Sequence, residues 1–196
     1  MAQLYWTYAA MNAGKSAKLL SVAHNYAERG MATLVMKPDI DTRDGKDKIT
    51  SRLGIQRECI MITKDMNIKE YFKYVQASKD LHCVLIDEAQ FLSEEHVLQL
   101  CEIVDEYNTP VMCFGLRTDS NGKLFEGSAQ LFAWADKIEE LKAVCHCGRK
   151  ATMVAKMDEK GNPIIGGSQI DIGGDDKYTS FCRKHYREFV KSALKE

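Results

Sequence analysis

The chain contains 196 residues, of which 45% are hydrophobic and 28% charged, and its formal net charge is −1. This length suffices for one substantial hydrophobic core and a small second domain. Acidic and basic residues are interspersed without a basic tail or stripe, which argues against nucleic acid as a partner. The sequence shows no export leader and no apolar run of ~20 residues, so we expect a soluble, cytoplasmic protein with no membrane partner.

Apolar runs and helical periodicities alternate along the first two-thirds of the chain. Strands are predicted for residues 3–8, 33–37, 59–62, 82–86, 110–116 and 137–144. Helices are predicted for residues 16–29, after caps at Asn67 and Ser93, and for residues 130–134, with flexible loops over 39–54 and 117–127. Several strands are apolar throughout, which is typical of a parallel sheet covered by helices on both faces. We therefore expect a three-layer α/β fold with a mainly parallel sheet.

The segment between the first strand and the first helix has the spacing of a phosphate-binding loop. It comprises Ala9, Ala10, Met11, Asn12, Ala13, Gly14, Lys15 and Ser16. Backbone N–H groups and the helix dipole would face phosphate, Lys15 would add a full positive charge, and Ser16 would offer a hydroxyl to Mg²⁺. Ala9 replaces the first glycine of the G-x-x-x-x-G-K-[ST] pattern, so we expect a negative φ there. The motif predicts a P-loop NTPase-like domain; a small-residue turn without a ligand is the alternative.

Two adjacent carboxylates, Asp87 and Glu88, follow the apolar strand 82–86. In phosphate-loop enzymes an aspartate at this place supports the Mg²⁺ ion beside the loop serine. Glu88 is placed to accept a proton from an attacking hydroxyl, because an alcohol does not ionise freely at pH 7. An acidic turn at a strand end is the alternative interpretation.

The seven cysteines fall into two groups. Four stand alone in apolar patterns and are interpreted as small buried hydrophobic residues. Cys145, Cys147, Cys182 and His185 would close a tetrahedral structural zinc site, although the tight C-x-C spacing leaves His146 open as a ligand. Free thiols in a reducing cytosol are the alternative.

The sequence pattern changes near residue 143. Short strand signals, glycine pairs and a final amphipathic helix follow in place of the alternating strands and helices. We predict a phosphate-binding α/β domain over residues 1–142 and a small zinc-binding domain over residues 143–196. A metal cross-link would stabilise a domain that has few apolar residues of its own.

Taken together, the segments AMNAGKS, LIDEAQF, CHC, CRKH and IGGDDKY resemble those of the zinc-containing thymidine kinases, in order and over nearly the whole chain. The resemblance implies transfer of the ATP γ-phosphate to the 5′-hydroxyl of thymidine, with deoxyuridine as a second substrate. It further implies nucleoside salvage, feedback inhibition by dTTP and a homotetramer, with ATP, Mg²⁺ and structural Zn²⁺ as cofactors.

The same resemblance suggests further site residues. Asp41 and Arg43 match a D-x-R in a mobile loop, where the arginine clamps phosphate charge, and Gln90 completes the ATP-contacting set. Met11 and Gln90 match positions near the nucleoside, and Phe125 matches an aromatic residue bordering the thymine pocket. A lasso-like loop with Tyr178 closing over it is implied to hold the base, largely through main-chain groups: Gln169, Ile170, Asp171, Ile172 and Gly173.

Simpler readings exist for these positions. Taken alone, Phe125 could be a core residue, Tyr178 a surface tyrosine, and Asp41 and Arg43 loop charges. The segment 87–90, DEAQ, also looks like a helicase motif. A nucleic-acid-dependent ATPase would need a second ATP-gripping domain, for which about fifty residues beyond Val144 are too few. A zinc-bearing adaptor that only binds nucleotide, with Glu88 idle, is a third possibility.

Overall fold

The computed structural model describes residues 1–42, 45, 47–169 and 177–192. The strands are, in chain order, β1 (Leu4–Ala9), β2 (Ala32–Pro38), β3 (Lys48–Thr50), β4 (Gln56–Glu58), β5 (Ile60–Ile62), β6 (Leu81–Ile86), β7 (Val111–Leu116), β8 (Lys137–Glu140), β9 (Ala143–Val144), β10 (Lys150–Ala151), β11 (Met153–Met157), β12 (Pro163–Ile164) and β13 (Tyr178–Phe181). The helices are α1 (Lys15–Glu28), α2 (Ile68–Gln76), α3 (Glu94–Tyr107), α4 (Glu126–Trp134) and α5 (Arg183–Ser192), and one 3₁₀ turn spans Ala89–Phe91.

Six strands form a central sheet in the order β5-β2-β6-β7-β1-β8, and every neighbouring pair is parallel. The predicted α/β fold with a parallel sheet is confirmed. Ala9 at the end of β1 pairs with Leu116 at the end of β7, and Ile86 at the end of β6 pairs with Cys113 of β7. The segments that follow β1 and β6 therefore leave the sheet at the same edge, separated by the width of β7.

Both faces of the sheet are covered by apolar side chains. Trp6, Met36 and Ile86 face a cluster that includes residues of α2, α3 and α4. Val35 and Leu85 face the other way and pack with residues of α1. The alternation along each strand thus produces three layers, because neighbouring side chains on a strand point to opposite faces.

Apart from shifts of one residue at the ends of strands and of the first helix, the structure differs from the sequence prediction in three places. The segment 39–54, predicted as a loop, contributes β3 to an antiparallel hairpin with β4, in which Ile49 is buried against α1. The predicted strand 137–144 divides, because β8 joins the edge of the central sheet whereas β9 pairs with β10. Helix α4 begins at Glu126, four residues earlier than predicted.

The C-terminal part consists of two small antiparallel sheets, β10-β9 and β12-β11-β13, followed by α5. Its core includes Val154, Phe181 and Cys182, and the same cluster contains Ala10 and Met11 of the loop after β1. The division into domains at residues 142 and 143 stays a prediction. Among the described residues, no helix is both long and apolar enough to cross a bilayer.

Candidate functional site

The loop after β1 folds as a tight turn into the start of α1. Its left-handed residues are Asn12, with φ of 67°, and Gly14, with φ of 79°, whereas Ala9 ends the strand and is not among the positive-φ residues. The expected negative φ at Ala9 is therefore found. Lys15 is almost fully buried, and its Nζ lies 3.4 Å from the carbonyl oxygen of Ala10. The ammonium group is thus folded back over the loop whose N–H groups would face a phosphate.

Asp87 lies at the carboxyl end of β6, where its backbone N–H donates to the carbonyl oxygen of Met36 on β2 at 3.0 Å. Its buried carboxyl group is hydrogen-bonded to the side chain of Ser16. Burial, and then the neighbouring Glu88 charge, raises the pKa of Asp87 to about 7, while Ser16 and the Lys15 charge act in the opposite direction. The two motifs predicted to form one site are therefore in contact.

Glu88 has a left-handed backbone, with φ of 49° and ψ of 37°, which is uncommon for a residue with a long side chain. Its backbone N–H donates to Asp87 Oδ1 at 3.1 Å, and its Oε2 accepts from Gln90 Nε2 at 2.5 Å. Gln90 Oε1 in turn accepts from the backbone N–H of Leu116 at 2.9 Å. One buried amide therefore fixes the Glu88 carboxylate relative to β7.

A cleft of about 470 Å³ opens between these elements. Its walls include residues 11–17 of the phosphate loop, Glu88, Leu116 and residues 50–53 at the tip of the β3–β4 hairpin. The hairpin tip was not identified from the sequence, since residues 39–54 looked like a polar loop. Within β3, Ile49 is the buried residue.

Two glycines allow the 3₁₀ turn to approach its neighbours closely. A Cβ atom on Gly115 would lie 2.4 Å from Gln90 Oε1, and one on Gly127 would lie 2.4 Å from the carbonyl oxygen of Ala89. Both distances are far below van der Waals contact. These glycines carry no recognisable sequence signal, because their requirement arises only from the packing of β7 and α4 against the turn.

The predicted D-x-R segment is described in part. Asp41 is buried, and its Oδ2 lies 3.7 Å from Nζ of Lys37, whose side chain is 1% exposed. Lys37 Nζ also lies 3.4 Å from the carbonyl oxygen of Gly45. Arg43 lies outside the described residues. Lys37 was not among the predicted site residues, although its position at the end of an apolar strand is compatible with a buried charge.

The predicted nucleoside side of the site borders the segment after β7. Phe125 precedes α4, is 5% exposed, and contacts Phe91 edge-on with ring centroids 5.6 Å apart. Gln169 Nε2 donates to the carbonyl oxygen of Leu124 at 3.0 Å and to Asp119 Oδ2 at 3.2 Å. Gln169 and Phe125 are thus brought into one neighbourhood.

The strand that follows the predicted lasso is attached to the phosphate loop. Ser180 Oγ on β13 donates to the carbonyl oxygen of Met11 at 2.9 Å. Tyr178, the first residue of β13, is half-buried and packs against the cluster that contains Met11. The remaining lasso residues lie outside the described part of the chain: Ile170, Asp171, Ile172 and Gly173.

The four predicted zinc ligands form a compact cluster in which all ligand atoms lie within 4.8 Å of one another: Cys145, Cys147, Cys182 and His185. His185 Nδ1 lies 3.4 Å from the Cys145 sulfur and 3.5 Å from the Cys182 sulfur, and the sulfurs of Cys147 and Cys182 are 3.9 Å apart. Tetrahedral zinc with its usual bond lengths places sulfur about 3.5 Å from nitrogen and about 3.8 Å from sulfur. The residues therefore fit the ion closely.

The cluster also distinguishes between the two candidate histidines. His146 is exposed and stacks on the ring of His185, with centroids 4.2 Å apart, rather than joining the four-residue cluster. Burial opposes ionisation of Cys145, but hydrogen bonds from the backbone of Cys147 and Cys182 and from His185 outweigh it and lower the pKa of this thiol to about 6. A thiolate is the form that binds metal.

Comparison with known proteins supports the same assignment. The family model described as thymidine kinase matches residues 2–186, which is nearly the whole chain. The chain belongs to the thymidine kinase family. It is 61% identical to the thymidine kinase of Enterobacteria phage T4 over 191 residues, covering 97% of this chain and 98% of that protein.

Bacterial thymidine kinases match over similar lengths. The thymidine kinase of Shewanella oneidensis is 53% identical, with 97% of this chain and 99% of that protein covered. The thymidine kinase of Idiomarina loihiensis is 55% identical, with 96% and 97% covered. The family predicted from the sequence motifs is confirmed.

Proposed function

We propose that this thymidine kinase family member transfers the γ-phosphoryl group of ATP to the 5′-hydroxyl of thymidine, giving dTMP and ADP in nucleoside salvage, with deoxyuridine as a second substrate. The observation that carries the proposal is the contact between Ser16 and the buried Asp87, with Glu88 on the wall of the same cleft. Membership of the family supports thymidine as the substrate, and this geometry supports phosphoryl transfer in the cleft beside Ser16, Asp87 and Glu88.

On the ATP side, the phosphates would lie on the loop of residues 9–16, with Lys15 balancing their charge and Arg43 clamping them in the proposed complex. Ser16 and Asp87 offer adjacent hard oxygen donors, which fit Mg²⁺. When bound, Mg²⁺ neutralises charge that develops on the phosphate oxygens. Asp41, whose carboxylate lies beside Lys37, would belong to the ATP-contacting residues of the segment that follows β2.

On the acceptor side, Glu88 would take the proton of the 5′-hydroxyl. The bond from the 5′-oxygen to the γ-phosphorus forms as the bond from that phosphorus to the ADP oxygen breaks, and the proton passes to the Glu88 carboxylate. The Gln90 amide donates to Oε2 of that carboxylate, so the carboxylate is positioned before the substrate hydroxyl arrives. Precise aim of the base matters because proton transfer requires hydrogen-bond contact.

The thymine base would lie beside Met11 and Phe125, enclosed by residues 169–173 and Tyr178. The cysteine cluster would hold structural Zn²⁺, because all four coordination positions are supplied by the protein. Cys182 follows β13 directly, and β13 begins at Tyr178. Zinc would therefore restrain the segment that grips the base.

Feedback inhibition by dTTP, a homotetrameric assembly and a cytoplasmic location are part of the same proposal and are supported by the resemblance to zinc-containing thymidine kinases. A nucleic-acid-dependent ATPase and a non-catalytic nucleotide-binding adaptor are the competing functions.

One assay separates these functions: ATP turnover by the purified full chain with thymidine, with single-stranded DNA, and with neither. We expect ADP and dTMP in equal amounts with thymidine only. Stimulation by DNA without a requirement for thymidine would favour the ATPase. Tight ATP binding without turnover in any arm would favour the adaptor.

A further inference from the structure

A second cavity, of about 830 Å³, lies outside the candidate phosphate-transfer site. It is formed where the segment after β7 meets the start of β10 and β11 and one side of α5. Arg117 lies in the segment after β7, Lys150 and Thr152 lie at the start of β10 and just before β11, and Arg187 lies on α5. The cavity therefore spans three parts of the chain rather than one loop.

The charge of this cavity is strongly one-sided. Seven of the chain's 27 lysines and arginines line it, against the single carboxylate of Glu188. The four arginines are Arg117, Arg149, Arg183 and Arg187. In a chain with a net charge of −1 this is a marked segregation. Like charges in a concave surface reinforce one another's potential, so the cavity attracts anions.

The protein's own acidic groups balance only part of this charge. Lys150 pairs with Glu140, and Lys184 Nζ lies 3.8 Å from Glu188 Oε1. Cys182 forms part of the wall, but three thiolates around Zn²⁺ would leave only one net negative charge. Within the described residues, no carboxylate lies in ion-pair distance of Arg149, Arg183 or Arg187.

One of the arginines is held in place before any ligand arrives. The guanidinium of Arg117 donates through one terminal nitrogen to the carbonyl oxygen of Thr152 at 2.8 Å and approaches the Met153 sulfur at 3.7 Å. A guanidinium carries five N–H donors, so others remain for a ligand. A cation that is already fixed loses less side-chain entropy when it binds an anion.

We propose that this cavity binds a phosphate-rich anion, either a free polyphosphate or the triphosphate group of a nucleotide. Arginine forks match the geometry of phosphate oxygens, and the volume falls in the range of small-molecule sites. The described lining residues include no aromatic side chain, and strands of nucleic acid are usually bound with bases stacked on aromatic rings. The chemistry therefore favours a compact anion recognised by charge.

An anion in this cavity would connect the segment after β7 to α5. The same two parts already meet through the Tyr186 hydroxyl, which donates to the carbonyl oxygen of Ser120 at 2.7 Å. Since the segment after β7 carries Phe125, occupancy would stabilise the C-terminal part against the proposed nucleoside side of the site. We expect the anion to raise the midpoint of thermal unfolding.

The test uses the full chain carrying Lys15→Ala, so that binding at the phosphate loop does not mask the cavity. Calorimetric titration with inorganic tripolyphosphate should give one saturable site whose affinity falls as salt rises. Adding Arg187→Ala and Lys191→Ala should weaken binding about tenfold, since each exposed cation contributes a few-fold at the water-like end of the dielectric range. The control pair Lys79→Ala and Lys160→Ala removes the same charge elsewhere and should change affinity less than about twofold.

Parallel titrations with dTTP and ATP identify the source of the phosphate group. Tighter binding of either nucleotide than of tripolyphosphate supports a nucleotide ligand, and equal binding supports the phosphate chain alone. The proposal is overturned if the Lys15→Ala protein binds no tripolyphosphate, if the α5 substitutions and the control pair have the same effect, or if only a single-stranded oligonucleotide binds. Zinc content and circular dichroism verify that each variant is folded.

This site is separable from the proposed catalysis. With Lys15 intact, the Arg187→Ala and Lys191→Ala enzyme should turn over thymidine at the wild-type rate in the absence of added polyphosphate. Loss of anion binding with full activity would establish a second site, whereas absence of thymidine kinase activity in the wild-type chain concerns only the proposed function.

Discussion

The parallel-sheet region and the C-terminal region reach a defined structure by different physical means. In the first, the sheet is buried on both faces, with Trp6, Met36 and Phe72 fully enclosed. In the second, α5 has no buried residue, and the small core is completed by Ala10 and Met11 from the phosphate loop. Apolar packing fixes the first region, whereas the second combines a small core that is shared with the first and a cluster of four side chains that could hold a metal.

The largest effect is expected in the first region, at the proposed base. Glu88→Gln should lower kcat by about 10²- to 10⁴-fold, because the amide cannot accept the proton of the 5′-hydroxyl. The Kd for ATP, measured by calorimetry, should stay within about twofold, since phosphate binding uses other groups. Glu94→Gln, at the exposed start of α3, is the control and should leave kcat unchanged. An unaltered kcat in Glu88→Gln would remove this residue from the role of base.

The second region should respond most to loss of the proposed zinc cross-link. Cys182→Ser should reduce bound zinc and raise the KM for thymidine at least about tenfold, with a smaller change in ATP affinity, because β13 loses its anchor. Metal analysis and steady-state kinetics measure these effects. Cys101→Ser, which lies on α3 away from the cluster, is the matched control. One zinc per chain with an unchanged KM would contradict the anchoring role.

A buried ion pair provides a third comparison, again within the first region. Lys37→Met should lower the free energy of unfolding by about 3 kcal/mol, because Asp41 would be left as a buried charge without this partner. Adding Asp41→Asn should restore much of that loss. Lys73→Met, which removes an exposed pair with Glu70, should leave stability unchanged. Equal losses in the Lys37→Met variant and the double variant would show that the charge of Asp41 is not the cause of the loss.

The smallest expected effect concerns the fit of the 3₁₀ turn. Gly127→Ala should lower the free energy of unfolding by about 1–3 kcal/mol, because the new methyl group meets the backbone oxygens of Ala89 and Leu92. A decrease in kcat should accompany it, since the turn carries Gln90. Gln130→Ala, on the same helix, should change stability by less than about 0.5 kcal/mol. Denaturant unfolding and kinetics test both variants, and an unaffected Gly127→Ala enzyme would show that the turn can shift freely.

What the sequence predicted correctly depends on local patterns. Two features could be predicted because they depend only on residues that are neighbours in the sequence. They are the order of strand, loop and helix around AMNAGKS and the apolar strand that precedes Asp87 and Glu88. The choice of His185 over His146 could not be read from spacing, because it depends on the path of the chain between residues 147 and 182.

Other features arise only from tertiary packing. The β3–β4 hairpin has a single buried residue in its first strand, Ile49, so its alternation is too short to detect. Gly115 has ordinary strand neighbours, and its need for a hydrogen atom in place of a side chain appears only when Gln90 lies against it. Lys37 was predicted only as the last residue of a strand, and its burial results from the packing of the fold around it.

The amide of Gln90 has a consequence beyond holding a carboxylate. Its nitrogen binds Glu88 on the turn after β6, and its oxygen binds the N–H of Leu116 at the end of β7. A carboxylic acid at position 90 would place acid against acid, and the two would compete for one proton. Because a single side chain joins two strand ends, a shift of one strand past the other would redirect the carboxylate of Glu88. If Glu88 is the base, as proposed, we expect the reaction rate to depend on the alignment of β6 and β7.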